Sequence, residues 1–301
     1  MNGEWVVRPQ DDGGTDPAQV GAKSAELAEL SRKGIRVPAG FVVTADAYRE
    51  FVRAARLGPV IAAELRRYRA GRDVVAVAAA IRTAFREASL PPALVDEILA
   101  AYQELGGDGT EVAVRCSPVT RYDNEREEVF LRLRSGADVV AACRRCFAAL
   151  FSFVAVGNRE LRGPDHLAAA MPVVVQEWVR SDLGASGTAR GESTFVRVSA
   201  VSGPDGDPDR YSVHPGARPM ITRHLITRHR GGVSRVVLTD DELQELACWS
   251  GLVDKHFKRP MELEWAKDGP SGRLFLIEVR EWSLPAVTLP GPAPAVRVHR
   301  R

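Results

Sequence analysis

The nine residues 171–179, MPVVVQEWV, constrain this chain more than any other stretch. The run is β-branched and apolar until Gln176 and Glu177, which suits a strand covered on both faces in the middle of a sheet. What flanks it differs in kind. Upstream, helical periods dominate over 20–34, 45–56, 58–86, 91–105 and 137–160, with short strands expected at 41–43, 111–115 and 128–134. Downstream, 181–193 is rich in Gly and Ser, and strands alternate with turns from 194 to 238. A helix is then expected over 240–257, and a closing hairpin with arms at 260–266 and 273–282. The expected organisation is a loose polar lead-in over 1–19, an α/β lobe over 20–170, a mainly β lobe over 171–284 and a Pro-rich tail over 285–301. The fold class is α/β (α+β), with two lobes and a small-ligand cleft between them.

Composition removes several function classes. Charged residues make up 27% of the 301, yet the formal net charge is only +2, and no basic block interleaves with aromatics. A nucleic-acid partner is therefore not expected. No uninterrupted apolar run reaches the roughly 20 residues of a membrane helix, and residues 1–16 carry no apolar leader segment, so a cytoplasmic protein is expected. Cys116, Cys143, Cys146 and Cys248 are too few for a disulfide framework. Cys143 and Cys146 form a CxxC inside AACRRCFAALF, an amphipathic helix pattern, and no second pair completes a zinc site.

Four segments can carry chemistry. In Val20-Gly21-Ala22-Lys23-Ser24, a glycine turn opens a helix with Lys23 in its first turn, a pairing of helix-start amides and ammonium that suits phosphate. Arg115 ends the apolar strand before Cys116-Ser117-Pro118, where a guanidinium can grip phosphate oxygens. In the closing hairpin, Glu262 and Glu264 share one strand face by the period of two. Glu278 and Arg280 share a face of the other arm, assigned here together with Leu274 and Leu276. If residue 262 lies opposite 278, the three carboxylates and Arg280 gather in one patch, and oxygen-only ligands favour Mg²⁺ or Mn²⁺ held partly through nucleotide phosphates. The end of the central strand, Gln176-Glu177-Trp178-Val179, can offer backbone groups to an adenine edge. Each segment also has a plainer reading: a solvent-facing lysine, a surface ion pair, a solvated polar strand face, and core strand.

Taken in order, these segments resemble the ATP-binding region shared by phosphoenolpyruvate synthase, pyruvate phosphate dikinase and rifampicin phosphotransferase. The motif GGKxAxL is similar to Gly21-Ala22-Lys23-Ser24-Ala25-Glu26-Leu27, and VPPGFVVT to Val37-Pro38-Ala39-Gly40-Phe41-Val42-Val43-Thr44. AVRSS resembles Ala113-Val114-Arg115-Cys116-Ser117, RRCxxSLF resembles residues 144–151, MAVVVQxMVxSD resembles 171–182, and PDxYxV resembles 208–213. The hairpin DIEWA…LFxLQxRP is similar to residues 262–266 and 274–280. The resemblance implies a two-lobed ATP-grasp-like fold with the nucleotide in the cleft. It implies that Lys23 and Arg115 hold the triphosphate and that residues 176–179 form the adenine hinge. It further implies that Glu264 and Glu278 bind Mg²⁺ (or Mn²⁺) with Glu262 adjacent, and that Arg280 meets the transferring phosphoryl group.

Departures accompany it. Ala22 replaces the second glycine of the first motif. The loop after Arg115 is shorter, with Asn124-Glu125-Arg126-Glu127-Glu128 in place of a Gly-Gln-rich part, and Arg132 stands where the family has Asn. Gly184-Ala185-Ser186-Gly187-Thr188 only loosely echoes the phosphate-covering SGVMFT, and Glu278 replaces a metal-binding Gln. The expected function is phosphate transfer from Mg-ATP to a separate phosphohistidine-domain protein or a small molecule, the family's further domains lying outside this sequence. A nucleotide-binding pseudoenzyme or regulatory partner, and an ATP-grasp ligase forming an acyl phosphate, are the alternatives.

Overall fold

The structure is a computed structural model that describes residues 4–119, 129–163, 165–192, 194–202, 208–214, 220–224 and 237–282. The expected tail over 285–301 and the loop segment 124–128 lie outside the described residues. In chain order the strands are β1 (Val6–Val7), β2 (Gly40–Val43), β3 (Val112–Cys116), β4 (Val129–Leu133), β5 (Val173–Glu177), β6 (Ala185–Gly191), β7 (Val196–Val201), β8 (Asp209–His214), β9 (Met220–His224), β10 (Met261–Lys267) and β11 (Leu274–Glu281). The helices are α1 (Pro17–Val20), α2 (Ala22–Arg32), α3 (Ala45–Ala54), α4 (Leu57–Arg69), α5 (Val74–Glu87), α6 (Pro92–Glu104), α7 (Gly136–Ala149), α8 (Phe153–Arg162) and α9 (Asp240–Phe257).

Two antiparallel sheets organise the chain. The first has the order β1-β2-β5-β3-β4 and the second β11-β10-β6-β7-β8-β9. As its composition demands, β5 is central in its sheet. Val173 and Val175 point into the first core, where Phe41, Val43, Val112 and Val114 meet helices α3 to α8. An aromatic cluster anchors that core, with Tyr48, Phe51, Phe85, Phe147 and Phe151 at centroid distances of 5.4 to 6.1 Å. Burying each such ring stabilises the fold by roughly 1.5–3 kcal/mol. The second core sits between the six-stranded sheet and α9, around Trp265, Tyr211, Leu246 and Leu263.

Cys143 and Cys146 are both fully buried on α7, so the CxxC is core packing. Residues 136–162 are long and apolar enough to span a membrane, but 61% of their most apolar window is buried in the protein. The first core accounts for their hydropathy.

Local signals divide what looked like long helices. The helix expected over 58–86 is α4 and α5: Gly71 at φ 96° ends the first, and the Asp73 carboxylate accepts the Ala76 amide to cap the second. The helix expected over 137–160 likewise breaks at 150–152, where Ser152 Oγ accepts the Ala155 amide. The lead-in is not loose from residue 4 onward. β1 pairs with β2, and the Thr44 amide and hydroxyl donate to the carbonyls of Trp5 and Glu4. The division between cores also falls later than residue 170, because β5 belongs wholly to the first sheet. Leu30 and Ile35, early in the chain, belong to the second core, so α2 joins the two lobes.

Two further corrections concern the cleft. The Gly- and Ser-rich 185–191 is not a covering loop but β6, paired with both β10 and β7. In the closing hairpin Glu262 faces Arg280 and Glu264 faces Glu278, a shift of two residues from the expected pairing, which leaves side-chain faces unchanged. A bulge then separates Glu264↔Glu278 from Trp265↔Leu276, leaving Ile277 as the extra residue. It reverses the alternation of β11, as bulges do. Leu274, Leu276 and Val279 therefore enter the core, and Glu278 and Arg280 share the opposite, cleft-side face rather than that of the leucines.

Candidate nucleotide site

The approach of α2 to β3 begins with Gly21. Its φ of 79° favours glycine, and a Cβ would lie 2.1 Å from the Ser117 carbonyl oxygen. Ser117 Oγ donates to the Val20 carbonyl at 2.9 Å and meets Ser24 Oγ at 2.8 Å. This buried clamp fixes the first turn of α2 against the end of β3, and so fixes Lys23 relative to Arg115. Sequence reading missed both serines. They lie beside the two basic residues, but nothing local links positions 93 apart.

A cavity of about 330 Å³ opens where the two sheets face each other. Arg115 and Ala113 of β3 line it with Gln176 and Glu177 of β5, and Trp178 and Val179 follow as the chain crosses between lobes. The opposing wall is Ser186, Gly187 and Thr188 of β6, Glu264, Trp265 and Ala266 of β10, and Ile277 at the bulge. Gly187 is required by close approach: a Cβ there would sit 1.8 Å from the Ser199 carbonyl oxygen. Six of the expected residues thus share one cavity wall or the other: Arg115, Gln176, Glu177, Trp178, Val179 and Glu264.

The donors at this cavity are unmatched. Arg115 Nε and Trp178 Nε1 are buried and have no hydrogen-bond partner among the described residues; the Trp265 indole turns away into the second core. A buried unsatisfied donor costs about 1–3 kcal/mol, so two beside one cavity favour an acceptor-rich ligand there. At the hinge the amides of Glu177 and Trp178 already donate to the carbonyls of Ala39 and Glu111. Arg180 N–H donates to Asp268 Oδ1 at 3.2 Å. Among the hydrogen bonds of the described residues none uses the Val179 amide, and Val179 lines the cavity. Desolvation by the cavity wall holds the Glu177 carboxyl above its ordinary range.

The remaining residues gather beside the cavity in paired form. Lys23 Nζ lies 2.8 Å from Glu278 Oε1, which joins α2 to the last strand. Arg280 donates through Nε and Nη2 to Glu262 at 2.9 and 2.7 Å and through Nη1 to Glu264 at 2.7 Å. Desolvation opposes the Arg280 charge, but the Glu262 hydrogen bonds and the nearby charges of Glu264, Glu262 and Glu278 outweigh it, so its pKa is raised. Among the described residues no group of three or more His, Cys, Asp and Glu side chains converges as a metal site. The Glu264–Glu278 pair suits a divalent ion completed by phosphate oxygens, which needs one or two carboxylates rather than a full protein cage.

Residues 17–286 match the family described as pyruvate phosphate dikinase, AMP/ATP-binding domain. The chain is 33% identical over 331 aligned positions to phosphoenolpyruvate synthase of Pseudomonas aeruginosa, covering 92% of this chain and 42% of that protein. Against phosphoenolpyruvate synthase of Escherichia coli it is 31% identical, covering 89% of this chain and 40% of the relative. A probable phosphoenolpyruvate synthase of Methanocaldococcus jannaschii is 29% identical over 86% of this chain and 25% of its own length. The chain therefore spans less than half of the curated relatives it matches. With the fold, the cavity and a match over nearly its whole length in agreement, the chain belongs to the pyruvate phosphate dikinase AMP/ATP-binding domain family.

Proposed function

We propose that this chain binds Mg-ATP in the inter-sheet cavity and delivers a phosphoryl group to an acceptor, either a histidine of a separate protein domain or a small molecule. The observation that carries this reading is the pair of buried donors beside one cavity that have no partner among the described residues, Arg115 Nε and Trp178 Nε1. Purine nitrogens and phosphate oxygens are acceptors, and a triphosphate brings many of them. The base lies against residues 176–179, where the Val179 amide donates to its edge. Arg115 holds phosphate oxygens by charge-assisted hydrogen bonds. Lys23, in the first turn of α2, adds an ammonium and the start of a helix dipole.

Glu264 and Glu278, directly opposite one another, hold the divalent ion, and Glu262 stands next to them. When bound, that ion neutralises charge on the phosphates. Arg280 stabilises the transferring group by charge; phosphoryl transfer depends chiefly on such positioning and electrostatics. ATP binding and Mg²⁺-dependent turnover, with and without cell extract, test the reading on wild type and Glu264→Ala. The expected result is binding by wild type and loss of turnover in the variant, with phosphorus NMR separating ADP from AMP plus phosphate as product. Failure of wild type to bind ATP in the presence of Mg²⁺ would overturn it.

One observation favours a second reading, a nucleotide-binding protein without turnover. Two of the three cations assigned to the phosphates are already paired within the protein, Lys23 with Glu278 and Arg280 with Glu262 and Glu264. Binding without turnover under all conditions supports that alternative.

A further inference from the structure

The backbone register sorts the cleft-side charges of the second sheet into two cross-strand rows. In one, Glu262 lies between Arg280 of β11 and Arg190 of β6. In the next, Glu264 lies between Glu278 and Thr188. The side chains follow this order. Both Glu262 oxygens face guanidinium groups: Oε2 accepts from Nε and Nη2 of Arg280, and Oε1 lies 3.6 Å from Arg190 Nη1. The Glu262 side chain is only 13% exposed, which leaves little room for another ligand. Arg190 is itself held, its guanidinium 4.6 Å from the centroid of Trp282 and its Nε 3.3 Å from Glu192 Oε1. A divalent cation brought to Glu262 would sit between two positive groups, whereas the neighbouring row offers two carboxylates face to face.

We infer that Glu262 is a positioning residue and not a metal ligand: braced by Arg190 and Trp282, it aims the Arg280 guanidinium at the transferring phosphoryl group. This rests on the Mg-ATP reading above. It adds that one row of the sheet holds the metal and the adjacent row holds the arginine. Arg190 contributes although a whole strand separates it from Arg280, because Glu262 on that strand, β10, links them. A planar guanidinium gripped through Nε and Nη2 keeps one orientation, so Nη1 stays directed toward Glu264 and the cavity.

The test measures two quantities for wild type, Glu262→Gln, Arg190→Met and Glu264→Gln. The first is the Mg²⁺ midpoint for ATP binding. The second is the gain in affinity when fluoroaluminate, a mimic of the transferring group, is added to Mg-ADP. For Glu262→Gln and Arg190→Met, the Mg²⁺ midpoint should match wild type and the fluoroaluminate gain should fall about tenfold, the usual loss when a supporting contact is removed. Glu264→Gln should move the Mg²⁺ midpoint. The inference is overturned if Glu262→Gln moves that midpoint as far as Glu264→Gln does, or if neither supporting variant changes the fluoroaluminate gain. Should Glu262→Gln not fold, Arg190→Met decides alone. A wild type that binds no Mg-ATP removes the nucleotide reading itself, whereas normal Mg-ATP binding with an unchanged fluoroaluminate gain removes only the positioning role.

Discussion

The two ends of the cavity solve opposite problems. At the hinge end, formed by the first sheet, two buried donors have no partner among the described residues: the Trp178 indole N–H and Arg115 Nε. At the far end, every charge has a partner, in the Lys23–Glu278 pair and the Arg280 contacts to Glu262 and Glu264. The hinge end is therefore preformed and gains hydrogen bonds on binding without giving any up. The charged end exchanges partners, so that a metal takes carboxylates from basic side chains and phosphate takes those side chains in return. The difference teaches that affinity resides chiefly with the unmatched donors, while the exchanged pairs contribute little net affinity and more of the specificity for a metal-bound triphosphate.

The largest expected effect breaks the preformed side. Arg115→Ala removes a half-buried guanidinium whose Nε has no partner among the described residues, and a hydrogen bond to a charged group is worth about 1.5–3 kcal/mol. ATP affinity by calorimetry should fall roughly 10- to 100-fold on that basis. Lys23→Ala should have a smaller effect, under about 1.4 kcal/mol or tenfold. It deletes a phosphate contact, but it also frees Glu278 from a competitor of the metal, and excess Mg²⁺ should narrow the loss further. If Lys23→Ala proves the more damaging of the two, the contrast between the ends is wrong.

The clamp that spaces these two cations comes next. Ser117→Ala loses the hydrogen bond to the Val20 carbonyl and leaves Ser24 Oγ facing a methyl group. The expected loss of folding stability is about 1–2 kcal/mol by denaturant titration. A weaker ATP affinity should accompany it, since α2 is no longer tied to β3. Unchanged affinity in a destabilised Ser117→Ala would show that Lys23 and Arg115 bind independently.

Much of this site was legible in the sequence, for reasons tied to particular residues. Arg115, Gln176, Glu177, Trp178 and Val179 sit at the ends of short apolar strands, and in a sheet such positions border the cleft wherever the central strand is β5. Glu262 and Glu264 follow from the period of two. The bulge at Ile277 was not legible. The run Leu274 to Arg280 alternates smoothly on paper, and only pairing with β10 shows that one residue is extra. β6 was hidden by composition: ASGTARG carries no β-branched residue except Thr188, and it becomes a strand because flanking β7 and β10 supply partners on both sides. The helix breaks at Asp73 and Ser152 were written in the sequence as capping residues, but a continuous apolar period on either side outweighs a single cap when only the pattern is read.

The smallest effect tests how dry the hinge end is. Desolvation raises the Glu177 pKa above its ordinary 4.5, so the folded protein holds that proton more tightly than the unfolded chain. Its contribution favours folding below the unfolded value and is lost as pH rises through the raised folded value. At neutral pH the ionised carboxylate is consequently a slight burden on the fold. Glu177→Gln removes it, so the variant should melt above wild type near pH 7, and the difference should vanish toward about pH 4. Because Glu177 is largely exposed, solvent screening keeps the effect below about 1 kcal/mol. A difference that persists unchanged to low pH would have a cause other than the proton. No difference at any pH would mean that water reaches the carboxyl freely, and the hinge end would then be wetter than the unmatched Trp178 indole suggests.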